Sequence, residues 1–143
     1  MPKEKILIGI DPDVEKSGVA FLQDNKLKLQ NLGFFELFEM LKFYKEREIK
    51  PIIYVECGFL NKSNWHKKTG KSAAFNAKIG EHTGANFETA KKIVEMCIYL
   101  GLPHFPIKPT KSKIDSATFQ KVTGLKIRTN QEVRDAYMLI HGR

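Results

Sequence analysis

The stretch ILIGIDPDVEKSGVAFL, residues 6–22, decides the fold. Ile6 to Ile10 is an almost unbroken β-favouring run, and Pro12 pushes Asp11 into an extended conformation and ends the strand. A run apolar on both faces belongs inside a sheet, so Asp11 is delivered at the C-terminal end of a buried central strand. Gly18 to Leu22 and Lys26 to Leu32 read as two further strands, joined by the turn signal Asp24-Asn25. Three consecutive strands with short turns predict an antiparallel meander.

Outward from the meander the period changes. Phe34, Leu37, Phe38 and Leu41 recur at helical spacing and predict a helix to about residue 48. Pro51 ends that connection, and Ile52 to Val55 is the next buried strand, with Glu56 at its end. From Asn61 to Gly80 the first half has no sustained periodicity and predicts a long loop carrying Trp65 and His66. Ala90, Ile93, Val94, Cys97 and Ile98 then lie opposite Glu88, Lys91, Lys92 and Glu95, an amphipathic helix of roughly residues 81–100 that stops at Gly101. His104 to Ile107 is a short last strand between prolines. Ser112-Lys113-Ile114-Asp115 matches a capping box that starts a helix to about Val122, and Asn130 caps a final helix bearing Glu132 and Asp135. The order β β β α β α β α α predicts one α/β domain over residues 1–143: a five-stranded mixed sheet, meander plus parallel strands, flanked by helices.

The chain has 143 residues with 24 Lys plus Arg against 16 Asp plus Glu, a formal net charge of +8. No apolar run near the start is long enough for a signal-peptide core or a membrane span. Cys57 and Cys97 make neither a disulfide framework nor a zinc-ligand spacing, which predicts an intracellular protein without structural zinc. The charge is uneven: residues 57–80 carry +5 with no acid, residues 103–128 another +5, and the remainder −2. Two such segments predict a polyanion partner, nucleic acid before all, although lysines on a solvated surface look the same. The candidate contacts are Lys62, Trp65, Lys67, Lys68 and Lys71 in the first segment and Lys108, Lys111 and Lys113 in the second. Those last three precede a helix N-terminus, which itself favours phosphate. Trp65 and His66 suit stacking on a nucleic acid or packing on a partner subunit.

Asp11 and Glu56 end two apolar strands, and Glu132 and Asp135 lie three apart on one helix face. Singly, Asp11 suits a turn before proline, and Glu132 suits the positive end of a helix dipole. Together, four carboxylates from three elements make a plausible site for hard divalent cations. Flanked by basic segments, such a site fits phosphodiester hydrolysis, with two metals serving the attacking and leaving oxygens. Cys57 reads as a small buried residue, and His66, His82, His104 and His141 show no ligand spacing.

These residues resemble the RuvC-type Holliday junction resolvases, in the small form typical of bacteriophages and prophages. ILIGIDPDVEKSGVAFL is similar to that family's first strand and hairpin, IIYVECGF to its fourth strand, and KIGEHTGAN with the helix after it to its central helix. PTKSKIDSATFQKVTGL and TNQEVRDAYML resemble its C-terminal half, so the similarity spans residues 6–141. The resemblance implies an RNase H-like fold, a homodimer, and paired nicking of four-way DNA junctions. It also implies dependence on Mg²⁺, two per site with Mn²⁺ as a substitute, and a setting in the cytoplasm of a bacterial or phage-infected cell. By position it implies that Asp11, Glu56 and Asp135 are metal ligands and catalytic groups. Glu132 joins them where the family has a further acid or a histidine, and Phe59 matches an aromatic that stacks on a base near the crossover. Asp13 departs from the family's usual Gly after the Pro, a position where Asp tolerates the turn. Three other readings stand beside this one: a nuclease of the same fold acting on flaps or RNA–DNA hybrids, a branched-DNA-binding protein that does not cut, and an actin-like ATPase. The last needs two such domains, and 143 residues supply one.

Overall fold

The computed structural model of the protein describes residues 5–61, 73–110 and 112–143. Strand β1 (Ile6–Asp11) pairs antiparallel with β2 (Ser17–Gln23), and β2 likewise with β3 (Lys26–Leu32). On its other side β1 pairs in parallel with β4 (Ile52–Glu56), and β4 with β5 (His104–Ile107). The sheet order is therefore β3-β2-β1-β4-β5, a mixed five-stranded sheet of antiparallel and parallel pairs, as expected. Asp24 and Asn25 close the β2–β3 hairpin at φ of 52° and 62°. Two successive left-handed residues give the turn whose twist matches the strands, and Asp and Asn are among the residues that adopt it most readily.

Helix α1 (Phe34–Glu46) precedes β4, a 3-10 turn (Gly58–Leu60) follows β4, and α2 (Ala73–Leu100) leads to β5. Helices α3 (Ser116–Thr123) and α4 (Gln131–Ile140) complete the chain. The strand period of two divides the interior into two layers. Ile8, Ile10, Val19, Ile53 and Val55 pack with Leu37 and Leu41 of α1 and Ile93 and Cys97 of α2 on one face. Leu7 and Ala20 pack with Phe119 of α3 and Ala136, Tyr137 and Ile140 of α4 on the other. Among the described residues no helix is long and apolar enough to cross a membrane.

Two glycines decide how close α4 lies to the sheet. A Cβ at Gly9 would overlap the backbone carbonyl of Ala136, and one at Gly18 the backbone of Glu132 and Val133. Both atoms in the way are main chain, so no side-chain rotation relieves the clash, and only a residue without a Cβ fits.

Two boundaries differ from the sequence expectation. The helix expected from about residue 81 begins at Ala73, so the last turns of the expected loop are helical. Ala73, Ala74 and Ala77 are strong helix formers, and the helix runs through Gly80 and Gly84, each of which costs about 1 kcal/mol. The capping residue of α3 is Asp115 rather than Ser112: its Oδ1 accepts from the Thr118 amide at 2.7 Å. The preceding segment is held by tertiary bonds instead, because the Ile114 carbonyl accepts from Arg134 Nε of α4 at 3.1 Å. Asn130 caps α4 as expected, accepting from the Val133 amide at 3.1 Å.

Among the described residues no strand pairs with the outer side of β3 or of β5. Edge β3 carries Lys26 and Lys28. At β5, the Ile53 and Cys57 amides donate to Pro103 and Ile107, so the odd-numbered residues face β4 and Pro106 faces the outer side.

Gly9→Ala should lower stability by about 1–3 kcal/mol through overpacking against a rigid backbone. Gly80→Ala has nothing within 4 Å of the added carbon and should raise stability by about 0.5–1 kcal/mol. Urea unfolding of the two variants beside the parent checks both signs.

Candidate functional site

Asp11 and Glu56 occupy the C-terminal ends of adjacent parallel strands, one step beyond the paired Ile10 and Val55. Alternation puts both on the face that carries Leu7, Gly9, Ile52 and Tyr54, which is the face covered by α4. The contacts at Gly9 and Gly18 bring α4 down onto that face and with it Asp135, which is only 9% exposed. Asp135 is held at both oxygens: Lys113 Nζ donates to Oδ2 at 2.6 Å and Gln131 Nε2 to Oδ1 at 2.7 Å. Gln131 is in turn bonded through Oε1 to Arg134 Nη2 at 3.0 Å.

The charges act on one another strongly. Burial, then Glu56, Asp135 and Glu132, push Asp11 from 3.8 up to about 8, against the opposing pull of Lys113. Burial also raises Glu56, with Lys113 pulling down and Asp135 pushing up. For Lys113, burial works against its charge, but the hydrogen bond to Asp135 and the fields of Asp135, Glu56 and Asp11 more than offset it, and its pKa is raised. A lysine thus serves as resident counter-charge to three carboxylates.

Two hollows meet at Glu56 and Lys113. The larger, about 680 Å³, is lined by Asp11, Asn61, His82, Asn86 and Thr110 besides these two. The smaller, about 90 Å³, is lined also by Lys108, Ser112, Asp135 and Arg143. Asp11, Glu56 and Asp135 are therefore near enough to act on one another. Glu132 contributes its field to Asp11 from the first turn of α4 but lines neither hollow. Phe59 sits in the 3-10 turn, partly buried against the main core, with Lys91 Nζ 5.5 Å from its ring centre. Lys108 lies at the smaller hollow, and Lys113 is engaged with Asp135. Lys62, Trp65, His66, Lys67, Lys68, Lys71 and Lys111 fall outside the described residues. Cys57 and Cys97 are buried, with thiols pushed up to about 11 and about 12 by burial, which suits packing rather than nucleophilic attack.

Sequence reading missed His82, Asn86 and Gln131. His82 and Asn86 are one turn apart on α2, a polar pair at i and i+4 whose spacing is visible in the sequence once the helix is extended. Gln131 is four residues before Asp135, the same spacing again.

No three His, Cys, Asp or Glu side chains among the described residues form a ready-made cation cage. The donor set nevertheless fits Mg²⁺, which uses one or two carboxylates and completes its shell with water and phosphate oxygens. Burial first, and the neighbouring carboxylates second, raise Asp11, and a bound cation would oppose the second of these.

Because the folded-state value for Asp11 lies above its ordinary 3.8, this group favours the metal-free fold fully below about pH 4, and that contribution is lost as pH rises through about 8. In EDTA the parent should therefore lose more thermal stability between pH 5 and 9 than Asp11→Asn does. Adding Mg²⁺ at pH 8 should raise the parent's unfolding midpoint and leave that of the variant nearly unchanged. Differential scanning fluorimetry reads both.

No family model and no curated protein matches the chain. Among solved structures it is similar to T. thermophilus RuvC in complex with Holliday junction substrate, at 13% identity and a TM-score of 0.49, over 94% of this chain and 89% of that one.

Proposed function

We propose that the chain is a structure-selective endodeoxyribonuclease of the RuvC type, in the small form found in phages and prophages, that resolves four-way DNA junctions in the cytoplasm. The observation that carries this reading is the convergence of Asp11, Glu56 and Asp135 on one sheet face beside a cavity edged by Lys113. The sequence resemblance over residues 6–141 supports it, as do the two basic segments. Asp11, Glu56 and Asp135 would hold Mg²⁺, with Glu132 beside them. When bound, the metal activates the attacking water and stabilises the departing oxygen of an in-line displacement. Lys113 and Lys108 neutralise the phosphates flanking the cleaved bond. Phe59 and the lysines of residues 62–71 grip the branch, the aromatic by stacking, which any base permits. Since each chain carries one such carboxylate cluster, two symmetric nicks require two copies, hence a homodimer.

A protein that binds branched DNA without cutting is disfavoured, because several uncompensated carboxylates at a DNA surface oppose binding. Synthetic four-way junction, linear duplex, flap and RNA–DNA hybrid, each incubated with Mg²⁺ or EDTA, separate the remaining readings. The expected result is symmetric nicking of the junction, abolished by EDTA and by Asp11→Asn, with junction binding retained. Equal cutting of linear duplex would remove the junction claim, and preferential cutting of hybrid or flap would reassign the substrate. Junction affinity should also fall steeply between about 50 and 200 mM salt as lysines displace counterions, read by fluorescence anisotropy.

A further inference from the structure

One cluster at the larger cavity has no part in the scheme above. His82 of α2 lines that cavity together with Asp11 and Glu56, and its side chain is 64% exposed. Its Nε2 lies 3.9 Å from Asp13 Oδ1 and 3.4 Å from Asn86 Nδ2. The orientation of Asn86 is fixed independently, because its Oδ1 accepts from the Val14 amide at 3.0 Å. The amide therefore turns its NH₂ end to the ring, and in the neutral imidazole Nε2 accepts while the proton resides on Nδ1. Asp13 is itself pinned: its Oδ2 accepts from the Glu15 amide at 3.0 Å, and its own amide donates to the buried Ser17 Oγ at 3.1 Å. Among the described residues Nδ1 has no partner.

Resting on the endonuclease reading, we propose that His82, oriented by Asp13 and Asn86, is the proton donor to the oxygen that leaves when the phosphodiester is cut. A deoxyribose alkoxide is a poor leaving group. The carboxylates of the site are acceptors when they hold a cation, and among the described residues His82 is the one imidazole lining the cavity. As water adds to phosphorus and the bond from phosphorus to the deoxyribose oxygen breaks, the imidazolium gives its Nδ1 proton to that oxygen. The ring is left neutral with its remaining proton on Nε2, toward the Asp13 carboxylate, and regains the Nδ1–H form that accepts from Asn86 by proton exchange with solvent. The proton shed by the attacking water passes to solvent, which also reprotonates the exposed ring. Asp13, at the position where the resembling family usually has glycine, acts through His82 as a positioning residue.

The test compares junctions carrying an ordinary phosphodiester with junctions bearing a bridging sulfur at the 3′ or the 5′ position of the cleaved phosphate. Thiolate departs without protonation, so loss of a proton donor is felt only with oxygen. His82→Ala should slow single-turnover cutting of the ordinary junction about a hundredfold, in the range of general acid catalysis. It should slow the junction whose sulfur replaces the leaving oxygen less than about threefold. Asp13→Asn keeps the turn-capping oxygen and removes the charge, and should show the same selectivity with a smaller loss, about tenfold. Junction binding in EDTA and the unfolding midpoint should be unchanged in both. An equal loss on oxygen and sulfur, or no loss on oxygen, overturns the role of His82 while leaving the nuclease reading intact. Failure of the parent to cut any of these junctions overturns both.

Discussion

The approach of α4 to the sheet is the constraint on which the rest depends. Gly9 in β1 and Gly18 in β2 present bare backbone, and Ala136 and the main chain of Glu132 and Val133 descend onto it. Small residues at a contact let backbone meet backbone, and they fix the separation with little room for adjustment. That separation sets where Asp135 arrives, because Asp11 is two residues beyond Gly9 on the same face of the same strand. A helix held further out would still bury Tyr137 and Ile140, but would carry its carboxylate away from the strand ends.

The same closeness creates an electrostatic burden. Three carboxylates share a partly desolvated corner, and the protein meets their repulsion with one lysine and one glutamine rather than by dispersing them. A fold selected for stability alone would replace Asp11 with a neutral residue. Sites that hold charge against its own repulsion are characteristic of function and are sustained by the surrounding packing. Here that packing comes from both layers of the core, with the sheet as common wall.

Much of this was legible in the sequence, for definable reasons. All five strands were readable because their apolar runs end at Pro, Gly or Asp-Asn signals, and the paired positions of Asp11 and Glu56 follow from two buried parallel strands ending level. The cap at Asn130 was readable because an Asn before an amphipathic run has few other uses. The start of α2 was not, since Ala73 to Gly80 offers only the single apolar pair Phe75 and Ile79 beside its alanines, too short a pattern to set a helix boundary. Nor was the cap of α3: Ser112 and Asp115 offer equally good side chains, and bonds from Arg134 and Gln131, distant in sequence, hold the segment before Asp115 out of the helix. The His82 group was invisible because its partners, Asp13 and Val14, lie some seventy residues away.

The outer edges of the sheet bear on how copies of this chain can meet. Lys26 and Lys28 would set like charges side by side if two β3 strands paired about a two-fold axis, and Pro106 leaves a gap in the row of donors that β5 turns outward. Strands so furnished resist being extended by a neighbour, and edge-to-edge stacking into fibres is discouraged at both ends. Any stable assembly of this protein is thereby steered toward surfaces other than these two edges.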